Sequence, residues 1–228
     1  MTFLDGVIRF CDECGVNANS LTTVVGQTGQ LKRMVNWYAS AWISIQAKRD
    51  DWKFMRLTAT WPLIAGTSSY LPTACAIAAG TFRDWIPENG RTFFTIPGLV
   101  SEQHLDYRSY ESFRNLWLFG ANRTVSSRPI EVTTGPDDAL IVGPSPISGL
   151  EASMDYYRNA VLLTADANVP AMPLGHDDII IVHKAMLDYG GFYAAREVYA
   201  RAQKAWKEEY RNLVNDQTPS AALVGAFR

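Results

Sequence analysis

Residues 28–54 read TGQLKRMVNWYASAWISIQAKRDDWKF, and the architecture follows from this stretch. Leu31, Met34, Val35, Tyr38, Trp42 and Ile45 fall on one face of a helix predicted from about Thr28 to Arg49, while Lys32, Arg33, Lys48 and Arg49 lie mainly elsewhere. Asp50-Asp51 then marks a helix-to-strand junction, and from Trp52 onward the rhythm changes. Upstream, Phe3, Leu4, Val7, Ile8, Cys11 and Cys14 recur at helical steps behind Thr2, a good N-cap residue. Downstream, residues 177–215 carry a third helical stripe: Val182, Met186, Tyr189, Tyr193, Tyr199, Ala202, Trp206, Tyr210 and Leu213. Unbroken, that helix would be about 58 Å long. Gly190-Gly191 in its middle predicts a kink or a break.

Between these helices the chain is rich in Thr, Gly, Pro and aromatics. Strands are predicted over Lys53–Leu63, Arg91–Ile96, Ile130–Thr134 and Ala139–Val142, the last two joined by a Gly135-Pro136-Asp137-Asp138 turn. Ala152, Met154 and Tyr156 alternate with Ser153 and Asp155, as in a half-buried strand. A helix is predicted over Glu102–Leu118, grouping Leu105, Tyr110, Phe113 and Trp117. The fold class is therefore α+β: a helical bundle from the N-terminal helices and a long C-terminal helix, with an inserted antiparallel β-rich domain. The expected organisation is 1–51 for the N-terminal helices, 52–170 for the insert with its one helix, 171–217 for the closing helix and 218–228 for an extended arm.

Composition narrows the function without naming it. Hydrophobic residues make up 47% of 228 and charged residues 19%, which excludes an intrinsically disordered chain. A net charge of −2 and a pI near 5.9 argue against a dedicated nucleic-acid binder. Seven Trp and ten Tyr make the chain aromatic-rich, which by itself names no function. The N-terminus has no basic region ahead of an apolar run, so no signal peptide is expected, and three cysteines make no disulfide framework. Reduced thiols, synthesis in a cytoplasm and no membrane span are the expectation. Asn122-Arg123-Thr124 is then a chance glycosylation match.

No catalytic or metal motif stands out. Cys11-Asp12-Glu13-Cys14 has C-x-x-C spacing but no second pair for zinc, so its thiols read as core packing. His176-Asp177-Asp178 has too few partner histidines for a metal-dependent hydrolase, and reads as the capped start of the closing helix. No phosphate-binding glycine loop and no nucleophile elbow are present. A hydrolase on the β module would draw on His104, Asp106 or Glu111. Trp37 with Lys32 and Arg33, or Trp85 with Arg83, would stack bases in a nucleic-acid reading, but core and interface packing accounts better for most aromatics. No catalytic residue, metal or cofactor is expected.

The order of features carries more than any single motif. The Leu31–Ile45 helix and Trp52-Lys53-Phe54 lead to a strand and turn ending Tyr70-Leu71-Pro72. Arg128-Pro129-Ile130-Glu131-Val132, the strand Ala139–Val142 and Gly143-Pro144-Ser145-Pro146 follow. Then come Met154-Asp155-Tyr156-Tyr157-Arg158, Pro170-Ala171-Met172-Pro173, Asp178-Ile179-Ile180-Ile181, and a helix closing at Asp216-Gln217. This succession, from about Ser20 to Pro219, resembles the head-to-tail adaptor (connector) proteins of tailed bacteriophages.

The resemblance implies a structural virion protein of the neck, assembled in the host cytoplasm into a homo-oligomeric ring of about twelve copies below the portal. Such a ring extends the channel for the double-stranded genome, which passes without specific binding, and offers a platform to tail or nozzle proteins. Another virion ring, a tail terminator or tail-tubular protein, is the alternative. The apolar tail after Pro219 is then an arm for the portal, anchored by Leu223, Val224 and Phe227 with Arg228 at its end. Leu31, Tyr38, Trp42, Tyr199, Trp206 and Tyr210 are the candidate face for the helical core or for neighbouring subunits.

Overall fold

The computed structural model describes residues 1–95, 101–173, 175–176 and 178–218. The chain makes two compact units: residues 1–54 with the described residues from 160 onward, and Met55–Asn159. The portal-arm residues Leu223, Val224, Phe227 and Arg228, and Asp177 of the His-Asp-Asp run, lie outside the described residues.

The first unit opens with α1 (Phe3–Glu13), capped reciprocally by Thr2 and Asp5, and α2 (Gly29–Ala47). The apolar stripe of α2 is its buried face: Met34, Tyr38, Trp42 and Ile45 are fully enclosed. Gly6 on α1 lets the two helices meet closely, since a Cβ there would sit 2.2 Å from the Tyr38 hydroxyl oxygen. Phe3 stacks on the Tyr38 ring at 5.7 Å. Trp52 is also fully buried and donates its indole N–H to the Ile45 carbonyl at 3.2 Å, tying the end of α2 to the exit of the chain.

The second unit holds β1 (Arg56–Leu63), β2 (Ser69–Tyr70), β3 (Phe82–Phe94), β4 (Gln103–His104), β5 (Asp106–Tyr107), a helical turn α3 (Tyr110–Phe113), β6 (Glu131–Thr134), β7 (Leu140–Gly143) and β8 (Leu150–Arg158). One sheet has the order β1-β8-β3-β4 and is antiparallel throughout; the other has the order β2-β7-β6-β5, with β5 and β6 parallel. Leu150, Ala152, Met154 and Tyr156 alternate inward along β8 and meet Trp61, Trp85, Val132 and Val142 in one core drawn from both sheets.

Three sequence expectations are corrected. The Glu102–Leu118 helix is reduced to α3 and a wider turn over Arg114–Leu118. Leu105 is fully buried in the sheet core and its N–H bonds to the Gly90 carbonyl, so strand pairing takes the first half of that segment. The Arg91 strand begins nine residues earlier, at Phe82. A register shift between Ile86 and Arg91 interrupts its alternation and hides it from periodicity. Finally, the closing helix is a hairpin, α4 (Ile179–Phe192) and α5 (Arg196–Gln217).

The hairpin turn is not at the glycine pair. Ala194 takes the left-handed conformation (φ 53°), and the Ala195 N–H reaches back to the Gly190 carbonyl at 3.0 Å in a Schellman-type closure. Gly190 serves a different purpose, because a Cβ there would lie 2.8 Å from the Tyr199 Cβ and 3.0 Å from its Cα and N. The glycine lets the backbone of α5 lie directly on α4. Side-chain pairs hold α5 further along: His183 of α4 with Glu209 at 2.9 Å, and His176, ahead of α4, with Asp216 at 3.1 Å.

The helical unit also holds the segment that follows β8. Buried Gln46 on α2 accepts from the Val161 N–H at 2.9 Å and donates to its carbonyl at 3.2 Å. Phe3 N–H bonds to the Asn168 carbonyl at 2.7 Å, and Val24 N–H to the Asp166 carboxylate at 2.6 Å.

Candidate functional site

The six aromatic and aliphatic residues selected on sequence divide by environment. Tyr38 and Trp42 are core. Leu31, Trp206 and Tyr210 are half-buried, with the Trp206 and Tyr210 rings stacked at 5.1 Å and Tyr210 edge-on to Trp52 at 6.3 Å. Tyr199, over Gly190, is 40% exposed.

A surface cluster on α2 and α4 was only partly visible in the sequence. Trp37 of α2 meets Tyr189, Phe192 and Tyr193 of α4 at centroid distances of 6.1, 5.5 and 6.1 Å. Arg33 lies 5.2 Å over the Phe192 ring and donates to the Tyr193 hydroxyl at 3.1 Å. Phe192 is nevertheless 61% exposed and Tyr193 39%. Spacings of three and four (Arg33 to Trp37; Tyr189 to Phe192 and Tyr193) were the available signal, but they mark a face without saying whether it is covered. The arrangement can do one thing well: present rigid aromatic area to another protein at low entropic cost.

It is poorly suited to stacking nucleobases. Trp37 is hemmed by its own aromatic neighbours, and Arg33 is occupied by Phe192 and Tyr193. Trp85 is 4% exposed and donates its indole N–H to the Asp138 carbonyl at 2.8 Å.

In the β unit, polar side chains fix loops. Arg108, just after β5, forms a two-pronged pair with Glu131 at the start of β6, one contact being 2.8 Å, and Trp117 donates its indole N–H to the same carboxylate at 2.7 Å. Hydrogen bonding from Arg108 is the main reason the Glu131 carboxyl is held below its ordinary value of 4.5, with Trp117 assisting against the cost of burial. Stability from this pair is therefore complete above the ordinary glutamate range and is lost as pH falls through the lowered folded value. Urea midpoints should fall more steeply between pH 5 and pH 3 for the native chain than for Glu131→Gln, in which this contribution no longer titrates. Equal slopes would show that the pair is not the titrating group.

Arg128 is a structural cation. It donates to the Thr92 hydroxyl at 3.1 Å and to the Ser101 hydroxyl at 2.7 Å, reaches the carbonyls of both residues at 2.5 Å, and lies 5.0 Å over the Phe94 ring. Burial lowers its pKa from the usual arginine value. It joins the two chain segments that flank residues 96–100.

The candidate chemical residues do not assemble. His104 and Asp106 approach to 3.4 Å, but their side chains are 52% and 84% exposed and stand on open surface; Glu111 is exposed on α3. His176 and His183 each pair with a carboxylate of α5. Asp178 stands at the N-cap of α4 without a side-chain capping bond, and bonds instead to the Met1 amino group at 2.6 Å. Among the described residues no three His, Cys, Asp or Glu side chains converge as a metal site. Burial pushes the thiols of Cys11, Cys14 and Cys75 up to about 11, 12 and 12, which leaves them protonated and weakly nucleophilic at neutral pH. Among the described residues no helix is long and apolar enough to cross a membrane.

A comparison with curated proteins returns no match. A family model does match, that of the SU10 adaptor protein, over residues 1–225. The chain belongs to the SU10 adaptor protein family, and is a structural adaptor of the bacteriophage virion.

Proposed function

We propose that this adaptor forms a ring of about twelve copies below the portal, at the neck between head and tail. The ring continues the channel through which the double-stranded genome leaves the head, and presents a platform to tail or nozzle proteins. The observation that carries this reading is the family match across nearly the whole chain. The exposed Phe192, Tyr193 and Tyr199 support it, since a ring subunit needs lateral aromatic surface in addition to its own core. Family membership points to a protein without catalysis. Assembly takes place in the host cytoplasm, the ring forming when subunits meet the portal.

In this proposal Leu223, Val224, Phe227 and Arg228 form an arm that docks on the portal. Negative-stain images of the protein mixed with portal should show an added ring at one end, and pull-downs should recover portal rather than tail-tube protein. A chain truncated after Pro219 should keep the helical circular-dichroism signal of the full chain yet fail to attach to portal-bearing heads. Attachment at the normal level by the truncated chain would overturn the arm. Recovery of tube protein alone would overturn the place below the portal.

A further inference from the structure

The outer face of α5 separates charge in a way that the near-neutral composition conceals. Arg196, Ala200, Lys204, Lys207 and Arg211 follow one another at steps of four, four, three and four, which places them within an arc of about 80° and along about 22 Å of helix. All five are exposed. None of the four cations makes an ion pair with a described residue, whereas Arg201, on the flank of the same helix, pairs with Glu13 at 3.3 Å. Elsewhere Arg49, Arg56, Arg91, Arg108 and Lys184 all have carboxylate partners. Four cations without an ion pair to a described residue thus share one helix stripe.

We infer that this stripe touches the phosphate backbone of duplex DNA. A protein partner would be met by an apolar anchor ringed with polar groups, and between these cations stands only Ala200. Regularly spaced, long, solvated cations without an apolar centre or a base-reading amide between them are suited to phosphates and to no particular sequence. Glu197 and Glu208, exposed at the margin of the stripe, limit its net charge. The contact is therefore weak and exchangeable, which allows a duplex to slide past it. This inference rests on the reading that the genome passes through the adaptor, and gives that passage a surface.

The test uses the full chain and a fluorescent 30-base-pair duplex, followed by anisotropy at 25 mM and 150 mM NaCl. Binding should be independent of sequence and fall with salt with a log–log slope of about −3 to −4, the value for three or four released counterions. The variant R196Q/K204Q/K207Q/R211Q should keep the native circular-dichroism spectrum, bind at least tenfold more weakly at 25 mM salt and show a slope near zero. A charge-matched control, R56Q/R91Q/R114Q/R123Q in the β unit, should bind as the native chain does. Equal affinity and slope in the α5 variant, or no binding by the native chain at 25 mM salt, would overturn the inference. So would an α5 variant that keeps DNA binding but loses portal attachment, which would assign the stripe to an acidic protein surface. Ring formation of the α5 variant on portal, seen by negative stain, separates the two readings: a native chain that makes no ring defeats the proposed function, and a ring-forming variant with unchanged DNA binding defeats only this assignment.

Discussion

Replacing Trp42 by alanine should destabilise the helical unit by about 3–5 kcal/mol, the range for truncating a large buried aromatic. Trp42 is 0% exposed, sits in the middle of the α2 stripe and stacks on Phe54 at 6.2 Å. The cavity left behind closes only partly, because surrounding structure relaxes incompletely around a deleted core side chain. Trp42→Phe should cost less than half as much, for a specific reason. The Trp42 indole N–H is buried with no hydrogen-bond partner among the described residues, and losing it recovers part of a desolvation penalty of about 1–3 kcal/mol. Urea unfolding followed by helical circular dichroism measures both. Leu57→Ala on β1, at 40% exposure, is the control and should shift stability by about 0.5 kcal/mol or less. A Trp42→Ala change no larger than that control would mean that the α2 stripe does not organise the core.

The neighbouring glycines of α4 should respond to alanine with opposite signs. At Gly190 the added Cβ meets the Cβ, Cα and N of Tyr199 at 2.8–3.0 Å, and two of those atoms are backbone, so α5 must move away. Overpacking of this kind costs about 1–3 kcal/mol. At Gly191 nothing lies within 4 Å and the residue is exposed, so Gly191→Ala should stabilise α4 by about 0.5–1 kcal/mol through helix propensity. The pair is adjacent in sequence and identical in composition, so only the hairpin distinguishes the two positions. Thermal melts of both variants, read together, test it. Two stabilised variants would show that α4 and α5 do not pack through Gly190.

How much of this was legible beforehand can be argued from the same residues. The α2 stripe announced its buried face because each of Met34, Tyr38, Trp42 and Ile45 is read against neighbours a turn away, and local periodicity survives folding. Thr2 was visible as a cap for the same reason: its partner, Asp5, is three residues on. In the β unit, the inward alternation of β8 was readable, while β3 was readable only from Arg91 onward, since the register shift between Ile86 and Arg91 hides its first half. The Glu102–Leu118 segment failed differently. Its helical grouping was genuine but loose, and Leu105 found a better place in the sheet core than on a helix surface.

Of the surface, sequence supplied Tyr199, Tyr193 and Trp37 but not the cluster that Trp37 and Tyr193 form with Phe192. Hydrophobicity alone assigns such residues to a core. Only the packed structure reveals that Phe192 and Tyr193 remain at the surface. The basic stripe on α5 is written at helical spacing from Arg196 to Arg211, yet its meaning depends on which carboxylates lie near, and that is set by folding.

By itself, then, the sequence determined the α+β class, the places of the main helices and of several strands, and through the order of its features the family. It did so because these depend on spacings of two to four residues and on their succession. The tertiary structure alone decided that the last helix folds back on itself, that its turn falls at Ala194 rather than at the glycines, and which aromatics and cations face outward. Those outcomes depend on contacts between segments far apart in the chain, where the free energy of packing one backbone against another overrides the local preference of either.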